Sequence, residues 1–526
     1  MTTPDVSVIV AVYNTMPYLT DCLTSLVEQS IGLDRLEVVA VDDGSTDGSG
    51  KELDRFAQLH PDTVKVIHQP NSGGPAAPSN RALDMATGRY VYFIGSDDYL
   101  GREALERMVT AADEHGSDVV VGKMEGVGGR YVHQALYKTT RHDVTFSNSA
   151  LPWTVANTKL FRRELVELHK LRFPEDLPVG SDQPFTIEAC VRAARISVLA
   201  DYTCYYAVRR GDASNITYRA DHEARLRCTA EIMNFTADLI PAGPDRDAVL
   251  KRHFGWELSK LLLDDFPDLD RKVQDTLVAG IGRLAKAYLT DPIRDNMGVK
   301  KRVRLGLAQH GRTEELCALI REEAKKGAPP FVLEEERAFA RYPGFRDLNA
   351  VLPMHWYEVI KEGVIGRLKA GTKTTSVSWQ KDREGRPVLA VTARMKLLGP
   401  FGAGPAQPRC ELAGPAAVRV PVVWGLADKA LVATQVKASI PVRELVAAAG
   451  GKAAKWQPSL AVSIARTPYE IPVAALGSVP QKRLWHERRP YRISVITGED
   501  GRLVVAVAPI KPLRVITRRL RRLRKK

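Results

Sequence analysis

The chain has 526 residues, of which 44% are hydrophobic and 26% are charged. That length predicts about three or four domains, and the composition excludes a wholly disordered chain. The formal net charge is +14, but nine of the cations fall in residues 511–526, and without them the net charge is +5. The basic charge therefore belongs largely to a tail, which argues against a nucleic-acid-binding body and a nucleic-acid partner.

Cysteine usage and hydropathy bear on the compartment of the protein. The six cysteines form no Cys-x-x-Cys pair, so the sequence predicts neither a zinc motif nor a redox motif. Scattered single thiols suit a reducing cytoplasm. The first residues lack the basic stretch of a signal peptide, and no apolar run reaches the ~18 residues of a membrane span. We therefore expect a cytoplasmic protein.

Strand-like and helix-like segments alternate over the first part of the chain. Short apolar runs predict strands at 6–12, 36–41, 64–67 and 90–94, and helical spacing predicts helices at 19–27, 50–59 and 79–86. This alternation predicts βαβ units and a mostly parallel sheet that helices cover on both faces. Further strand-like pieces follow at 195–200 and 202–208.

The pattern changes twice more along the chain. Apolar residues recur at steps of three and four between 221 and 365, which predicts an all-helical middle region. From about residue 373, some seven short β-branched runs separated by Gly-Pro and Asp-Gly turns predict a β-sandwich. We expect an α/β domain at 1–220, a helical linker domain at 221–370, an immunoglobulin-like β-sandwich at 371–510 and a tail at 511–526.

The tail combines arginines with regularly spaced apolar residues. Leu513, Ile516, Leu520 and Leu523 fall at steps of three and four, and cations fill the other faces. The pattern predicts a basic amphipathic helix that lies on an anionic membrane surface. A disordered polybasic tail is the alternative, because the segment is short for an isolated helix. The helix would place the protein peripherally on the inner face of the cell membrane.

Three acidic motifs flank the predicted strands and helices. Asp42 and Asp43 end the second strand, Asp97 and Asp98 follow the fourth, and Asp182 precedes a helix. Open parallel sheets bind ligands at the carboxyl ends of their strands, where carboxylates can accept hydrogen bonds from a nucleobase or a ribose. Adjacent acids also suit a divalent metal that is shared with substrate phosphates. Each motif taken alone also fits a helix cap.

Five motifs in order resemble the family 2 inverting glycosyltransferases of GT-A (Rossmann-like) fold: VIVAVYN, VDDGSTDGS, NSGGPAAPSN, ATGRYVYFIGSDDYL and GSDQPF, over residues 5–217. The resemblance implies a UDP-sugar donor and a divalent metal, Mn²⁺ or Mg²⁺. Asp97 with Asp98 would hold the metal, and Asp182 would be the general base. The residues implied at the nucleotide-sugar are Ala11, Tyr13, Asn14, Asp43, Asn71, Ser79, Asp97, Arg209, Arg210 and Ser214.

Longer stretches, LRFPEDLPVGSDQPF and YYAVRRGDASNIT, are similar to the wall teichoic acid N-acetylglucosaminyltransferases of bacteria, as are the helical and β-rich regions that follow. The similarity implies transfer of a sugar, GlcNAc being expected, to a hydroxyl of an anionic cell-envelope polymer such as teichoic acid. It also implies a homo-oligomer formed through the C-terminal domain. Two alternatives stay open: a capsule or exopolysaccharide acceptor, and a degenerate domain that only binds nucleotide or polymer.

The chain departs from the family pattern at four positions. Gly95 stands where the first Asp of the D-x-D element is usual, Ser79 where an Arg is, Ser181 where a Glu is, and Gly211 where a His is. Asp43, Asp97, Asp98 and Asp182 are all retained, which favours an enzyme over a degenerate domain. Because Gly95 and Ser79 fall near the nucleotide-sugar, we expect the departures to bear on the donor.

Overall fold

The computed structural model describes residues 3–210, 221–334, 337–359, 364–399, 408–427, 433–464, 467–498 and 500–510. The chain divides into two compact units, 1–294 and 295–526. In the described parts of the chain, no helix combines the length and apolar character needed to cross a bilayer.

The first unit is built on an eight-stranded sheet with the order β3-β2-β1-β4-β7-β6-β8-β5. The strands are β1 Val6–Val12, β2 Leu36–Asp42, β3 Val64–His68, β4 Tyr90–Gly95, β5 Tyr99–Leu100, β6 Val119–Val127, β7 Leu160–Arg162 and β8 Ile196–Val208. The central strand β1 pairs in parallel with β2 and β4, and β2 pairs in parallel with β3. The predicted parallel alternation is therefore confirmed for β1 to β4, and their carboxyl ends share one edge of the sheet.

Helices cover both faces of this sheet. They are α1 Tyr18–Val27, α2 Ser49–Leu59, α3 Ala76–Met85, α4 Ala104–His115, α5 Arg163–Leu168 and α6 Asp182–Arg192. Alternate residues of β1 enter different cores, because Val8 and Val10 pack in one apolar cluster and Ile9 in the other. A strand buried on both faces needs the continuous apolar run that the sequence shows.

The rest of the first unit is helical. It contains α7 His222–Leu239, α8 Pro244–Arg252, a π-helical turn at His253–Leu258, α9 Arg271–Tyr288 and α10 Asp291–Asp295. Helix α7 packs against α6 and α9. The π-helical turn follows α8 directly and rotates the side chains that come after it relative to α8.

The second unit begins with helices and one feature that the sequence analysis missed. The elements are α11 Val299–Gln309, α12 Thr313–Lys326, β9 Phe331–Glu334, β10 Arg337–Ala340 and α13 Val364–Gly371. Strands β9 and β10 pair antiparallel inside the region that was expected to be wholly helical. Phe331, Leu333 and Ala338 are buried in the same apolar cluster as the strands that follow. The hairpin forms because these alternating residues complete that core.

The C-terminal region is the expected antiparallel β structure. Its elements are β11 Thr372–Lys381, β12 Pro387–Met395, β13 Leu397–Leu398, β14 Arg409–Ala413, β15 Val418–Leu426, β16 Thr434–Pro441, α14 Val442–Ala448, β17 Ala454–Ile464, β18 Thr467–Pro472, β19 Lys482–His486, β20 Arg489–Thr497 and β21 Leu503–Pro509. Strand β15 divides its pairing between β14 and β16, and β17 divides between β14 and β21. Strands that change partners in this way turn the sheet around one core, which contains the fully buried Trp456. The basic tail lies outside the described residues.

Candidate active site

The loops after β1 and β2 are tied to each other at the carboxyl edge of the sheet. The Asn14 backbone N–H donates to Ser45 Oγ at 3.1 Å, and the Thr46 N–H donates to Asn14 Oδ1 at 2.7 Å. Asn14 has φ 48, a left-handed conformation that asparagine tolerates better than most residues. Ala11 lies in register with Gly95 of β4, and Tyr13 follows with its ring exposed. The sequence motif VIVAVYN therefore ends at an open edge beside β4.

Asp43 organises the loop that follows β3. Its buried carboxylate accepts from Gln69 Nε2 at 2.7 Å, from Ser72 Oγ at 2.9 Å and from the Ser72 N–H at 3.1 Å. Asn71 Nδ2 donates to the Asp43 carbonyl oxygen at 3.0 Å. The structure thus brings Asp43 and Asn71 together, as the resemblance implies. Gln69 and Ser72 escaped the sequence analysis because nothing in their spacing marks them as partners of Asp43.

Asp97 and Asp98 follow β4 and face a position that has no side chain. A Cβ placed on Gly95 would lie 2.9 Å from Asp98 Oδ2, 3.1 Å from Asp97 Oδ1 and 3.3 Å from Tyr205 Oη. Tyr205 donates to Asp98 Oδ2, and the Val208 N–H donates to Asp98 Oδ1 at 2.6 Å. Burial, and then the neighbouring Asp97 charge, raise the pKa of Asp98 to about 7. We call the turn that carries Asp97 and Asp98 the acidic turn. Asp98 therefore links the end of β8 to this turn by hydrogen bonds.

Arg209 and Arg210 come directly after β8. Arg210 Nε donates to Asp97 Oδ2 at 2.7 Å, and both side chains are only 16% exposed. The Arg209 backbone N–H donates to the Val127 carbonyl oxygen at 3.2 Å, which places Arg209 beside the loop after β6. Ser214 and Gly211 lie outside the described residues. Arg210 therefore contacts the acidic turn directly, whereas Arg209 is held at the end of β6.

Asp182 is the first residue of α6 and is surrounded by cationic and N–H groups. Its carboxylate lies near the Asn157 backbone N–H, and Arg252 and the buried Lys159 lie close enough for their charges to act on it. Burial raises the pKa of Asp182, and Arg252 and Lys159 partly oppose that rise. Burial likewise lowers the pKa of Lys159 to about 8. A buried carboxylate beside cations is the kind of environment in which groups that transfer protons are found.

Two further residues of the sequence analysis occupy supporting positions. Ser79 is buried in α3, where its N–H donates to the Pro75 carbonyl oxygen. Its neighbour Asn80 bonds both the N–H and the carbonyl oxygen of Phe173, which fixes the chain before Asp182. Ser181 is buried at the start of α6. Arg252 and Lys159, which sequence reasoning missed, lie far from Asp182 along the chain and belong to no motif.

The acidic turn suits a hard divalent cation that is completed by a substrate. The oxygens of Asp97, Asp98 and Tyr205 converge where Gly95 leaves space, and oxygen ligands are those that Mg²⁺ and Mn²⁺ prefer. Among the residues that the structure describes, no group of three or more His, Cys, Asp or Glu side chains is placed to hold a metal ion. A metal held by Asp97 and Asp98 would therefore need to take its remaining ligands from diphosphate and water.

Comparison with known protein families identifies two regions of the chain. Residues 7–172 match the model described as glycosyl transferase family 2, and residues 226–320 match the glycosyl transferase TarS linker domain. A poly(ribitol-phosphate) beta-glucosyltransferase of Bacillus spizizenii is 38% identical over 214 residues, which are 40% of this chain and 34% of that protein. The poly(ribitol-phosphate) beta-N-acetylglucosaminyltransferase TarS of Staphylococcus aureus strain MW2 is 38% identical over 284 residues, 52% and 49% of the two chains. The matches thus span about a third to a half of these relatives.

Solved structures match over a larger share. The crystal structure of S. aureus TarS aligns with a TM-score of 0.62 and 25% identity, over 97% of this chain and 86% of that one. TarS 1–349 in complex with UDP-GlcNAc aligns with a TM-score of 0.57 and 31% identity, over 64% of this chain and 97% of that one. The expected order of α/β domain, helical region and β-rich region is therefore confirmed.

Proposed function

Since the chain belongs to the family 2 glycosyltransferases, we propose that it transfers a sugar from a UDP-sugar to a hydroxyl of a cell-envelope polymer. The observation that carries the proposal is the Asp97–Arg210 pair at the carboxyl end of β4, with Asp98 beside it. A cation and two carboxylates at this edge suit a diphosphate and its metal. GlcNAc is the proposed sugar, because a TarS structure similar to this chain is a complex with UDP-GlcNAc.

The uridine is assigned to the loops after β1, β2 and β3. Tyr13, Asn14, Asp43 and Asn71 would line its pocket. Hydrogen bonds from Gln69 and Ser72 to Asp43 support this, because they hold a carboxylate rigidly at the edge where a nucleobase N–H can reach it. Ala11 opposite Gly95 keeps the floor of the pocket free of bulk. Ser79 would approach the donor from α3.

The diphosphate is assigned to the acidic turn and the arginines. Asp97, with Asp98 beside it, would hold a divalent metal, which when bound neutralises charge that develops on the leaving diphosphate. Arg210 forms an ion pair with Asp97 in this structure. When the donor binds, its guanidinium would turn to the phosphates, where it can bind two oxygens at once. Arg209 and Ser214 complete the proposed phosphate-binding set. Val208, held by Asp98, fixes the point from which this segment starts.

Asp182 is assigned as the general base. The acceptor hydroxyl must lose its proton as it attacks, and a carboxylate within hydrogen-bond reach can take that proton. Lys159 and Arg252 oppose the effect of burial, which keeps the carboxylate available in its charged form. Attack from the face opposite the leaving group inverts the anomeric carbon. The acceptor is proposed to be a poly(ribitol phosphate) such as the names of the relatives carry.

For the other regions of the chain we propose roles from the sequence pattern. Residues 1–220 would form the catalytic domain, 221–370 a helical linker, and 371–510 a β-sandwich that assembles a homo-oligomer. The tail, 511–526, would hold the enzyme peripherally on the inner face of the cell membrane, because polybasic segments gain about 1 kcal/mol per cation there. Light scattering of a chain ending at Gly371 tests assembly, which an unchanged oligomeric state would refute. Flotation with anionic vesicles of a chain ending at Pro512 tests the tail, and flotation equal to that of the full chain would refute it.

A donor screen with mass detection tests the proposed activity. The full chain is incubated with manganese, a ribitol phosphate oligomer and UDP-GlcNAc, UDP-glucose or UDP-galactose in turn. We expect the oligomer to gain the mass of one or more N-acetylhexosamine residues with UDP-GlcNAc. Release of UDP with every donor but without a mass gain on the oligomer would contradict a polymer transferase. A mass gain with UDP-glucose alone would correct the sugar.

A further inference from the structure

A group of aromatic side chains lies in the first unit outside the residues assigned above. We call it the aromatic platform and define it as Tyr131, His133, Trp153 and Trp256. The Tyr131 and Trp256 rings stack with centroids 6.2 Å apart, and Trp153 meets Trp256 edge-on at 6.5 Å. His133 stacks on Trp153 at 5.2 Å. Three distant segments of the chain therefore meet through their rings.

Two rings of the platform are turned toward solvent. Tyr131 is 69% exposed and Trp256 is 37% exposed. Lys260 places its Nζ over the Trp256 ring, 4.2 Å from the centroid. Large aromatic rings usually bury most of their surface, so core packing does not account for these two. The platform offers flat apolar faces with a positive charge at their side.

The platform adjoins the proposed phosphate-binding side of the site. Tyr131 follows the turn that ends β6, and the Arg209 N–H donates to Val127 in that turn at 3.2 Å. A Cβ on Gly129 would lie 3.9 Å from Arg209 Nη1. Arg130, the residue before Tyr131, is close enough for its charge to lower the pKa of Asp98. The loop that carries Tyr131 therefore lies beside Arg209, which is assigned to the diphosphate.

The platform also adjoins the proposed base. Trp153 stands in a short turn that the buried Lys159 holds, because Lys159 Nζ donates to the carbonyl oxygens of Thr154 and Ala156. The next residue, Asn157, has its backbone N–H close enough to Asp182 to lower the pKa of that carboxyl. Trp153 is therefore a few residues from a group that acts on the proposed base.

The helix that carries Trp256 is anchored beside the base as well. Arg252 donates to Gln183, the neighbour of Asp182, at 2.9 Å. The π-helical turn that follows Arg252 buries Phe254 and Leu258 and leaves Trp256 exposed. π-Helical turns of this kind occur frequently at functional sites. The platform thus spans from the donor phosphate side to the base.

We infer that the aromatic platform binds the acceptor polymer, an inference that rests on the proposed function. A sugar or polyol unit next to the reacting hydroxyl would lay its C–H groups on Tyr131 and Trp256. Lys260 would bind a phosphate of the same polymer, because its ammonium group is a compact positive charge that pairs with phosphate oxygens. The ligand class is therefore a chain of hydroxylated units that carries phosphate. The rings position that chain and do not touch the donor.

Steady-state kinetics of the full chain with two acceptors tests this inference. Trp256→Ala and Tyr131→Ala are compared with Trp485→Ala, which removes a ring that is 68% exposed in the second unit. The acceptors are a ribitol phosphate octamer and monomeric ribitol 5-phosphate. We expect each platform variant to raise the KM for the octamer about tenfold and the KM for the monomer much less. The KM for UDP-GlcNAc and the rate of acceptor-free donor hydrolysis should stay unchanged.

Named outcomes separate the possible failures. A KM for the octamer equal to that of wild type in both platform variants would overturn the inference. A variant that loses donor hydrolysis to the same extent as sugar transfer would also overturn it, because that result indicates a structural role. Tryptophan fluorescence gives a readout that does not need turnover. Titration with the octamer should quench wild type, and Trp256→Phe should remove most of the quenching; equal quenching in both would overturn the inference. If wild type binds the octamer but transfers no sugar, the proposed function fails and the platform stands.

Discussion

Replacing Asp182 by Asn removes the proposed base while keeping its shape. The amide has nearly the same size and shape as the carboxylate, so the first turn of α6 should keep its position. The amide cannot take a proton from the acceptor hydroxyl. The positive charges of Arg252 and Lys159 lose their anionic neighbour, but both keep partners in Gln183 and in backbone carbonyls. The variant should therefore fold and bind UDP.

The expected loss of rate follows from the role of a positioned base. General-base catalysis contributes about 10²- to 10⁴-fold, and each tenfold corresponds to about 1.4 kcal/mol of activation free energy. We expect Asp182→Asn to lower kcat by at least a hundredfold. Because burial raises the pKa of Asp182, the acidic limb of kcat/KM in wild type should lie above the ordinary range of an aspartate. Arg252→Gln removes a charge that lowers this pKa, so its limb should move to higher pH.

UDP release in the presence of acceptor measures the rate, and calorimetry with UDP measures binding. Asp176→Asn, at an exposed carboxylate a few residues upstream, is the matched control and should keep wild-type kcat. If Asp182→Asn keeps transfer within about tenfold of wild type, Asp182 is not the base. If the acidic limb of kcat/KM for Arg252→Gln lies at lower pH than that of wild type, Arg252 does not lower the pKa of Asp182.

Three further predictions concern the acidic turn and the edge of the sheet. Asp97→Ala should make UDP affinity equal with manganese and with chelator, and calorimetry of wild type showing no metal effect would refute the site. Gly95→Ala should lower the free energy of unfolding by about 1–3 kcal/mol, because its Cβ would lie 2.9 Å from a carboxylate oxygen. Gly74→Ala is the control, because its Cβ would meet no atom within 4 Å. Equal melting temperatures of the two variants would refute the crowding at Gly95. Asp42 and Asp54 raise the pKa of His68, so its stabilisation is present at low pH and lost as pH rises through the folded-state pKa. His68→Gln should therefore lower the melting temperature more at pH 5.5 than at pH 8.5, and a difference that does not depend on pH would refute it.

The regular elements of the first unit could be predicted because their burial leaves a periodic mark. Strands β1 to β4 and helices α1 to α3 coincide closely with the apolar runs and helical spacings of the sequence. Short strands carry a weaker mark. Strand β7 and the hairpin of β9 and β10 were missed, because a strand of a few residues shows little alternation before it ends. The nine-residue β6 was missed as well.

The site itself was predictable only where its residues stand in motifs. Asp97, Asp98 and Asp182 were proposed because these acids flank strands or a helix and stand in motifs that resemble those of a glycosyltransferase family. Residues that reach the site through tertiary contact gave no such sign. Arg252 and the platform rings of Tyr131 and Trp256 come together only when α8 and the π-helical turn pack beside the loop after β6. Spacing along the chain contains no information about that packing.

The anomeric configuration of the product tests the central claim most directly. Wild-type enzyme, UDP-GlcNAc, whose sugar is α-linked, manganese and a ribitol phosphate oligomer are combined, and the new linkage is read by proton NMR. We expect a β-linked N-acetylglucosamine on a polymer hydroxyl, formed by wild type and not by Asp182→Asn. An α-linked product would contradict single inversion with Asp182 as base, and free N-acetylglucosamine with an unmodified oligomer would contradict transfer to a polymer.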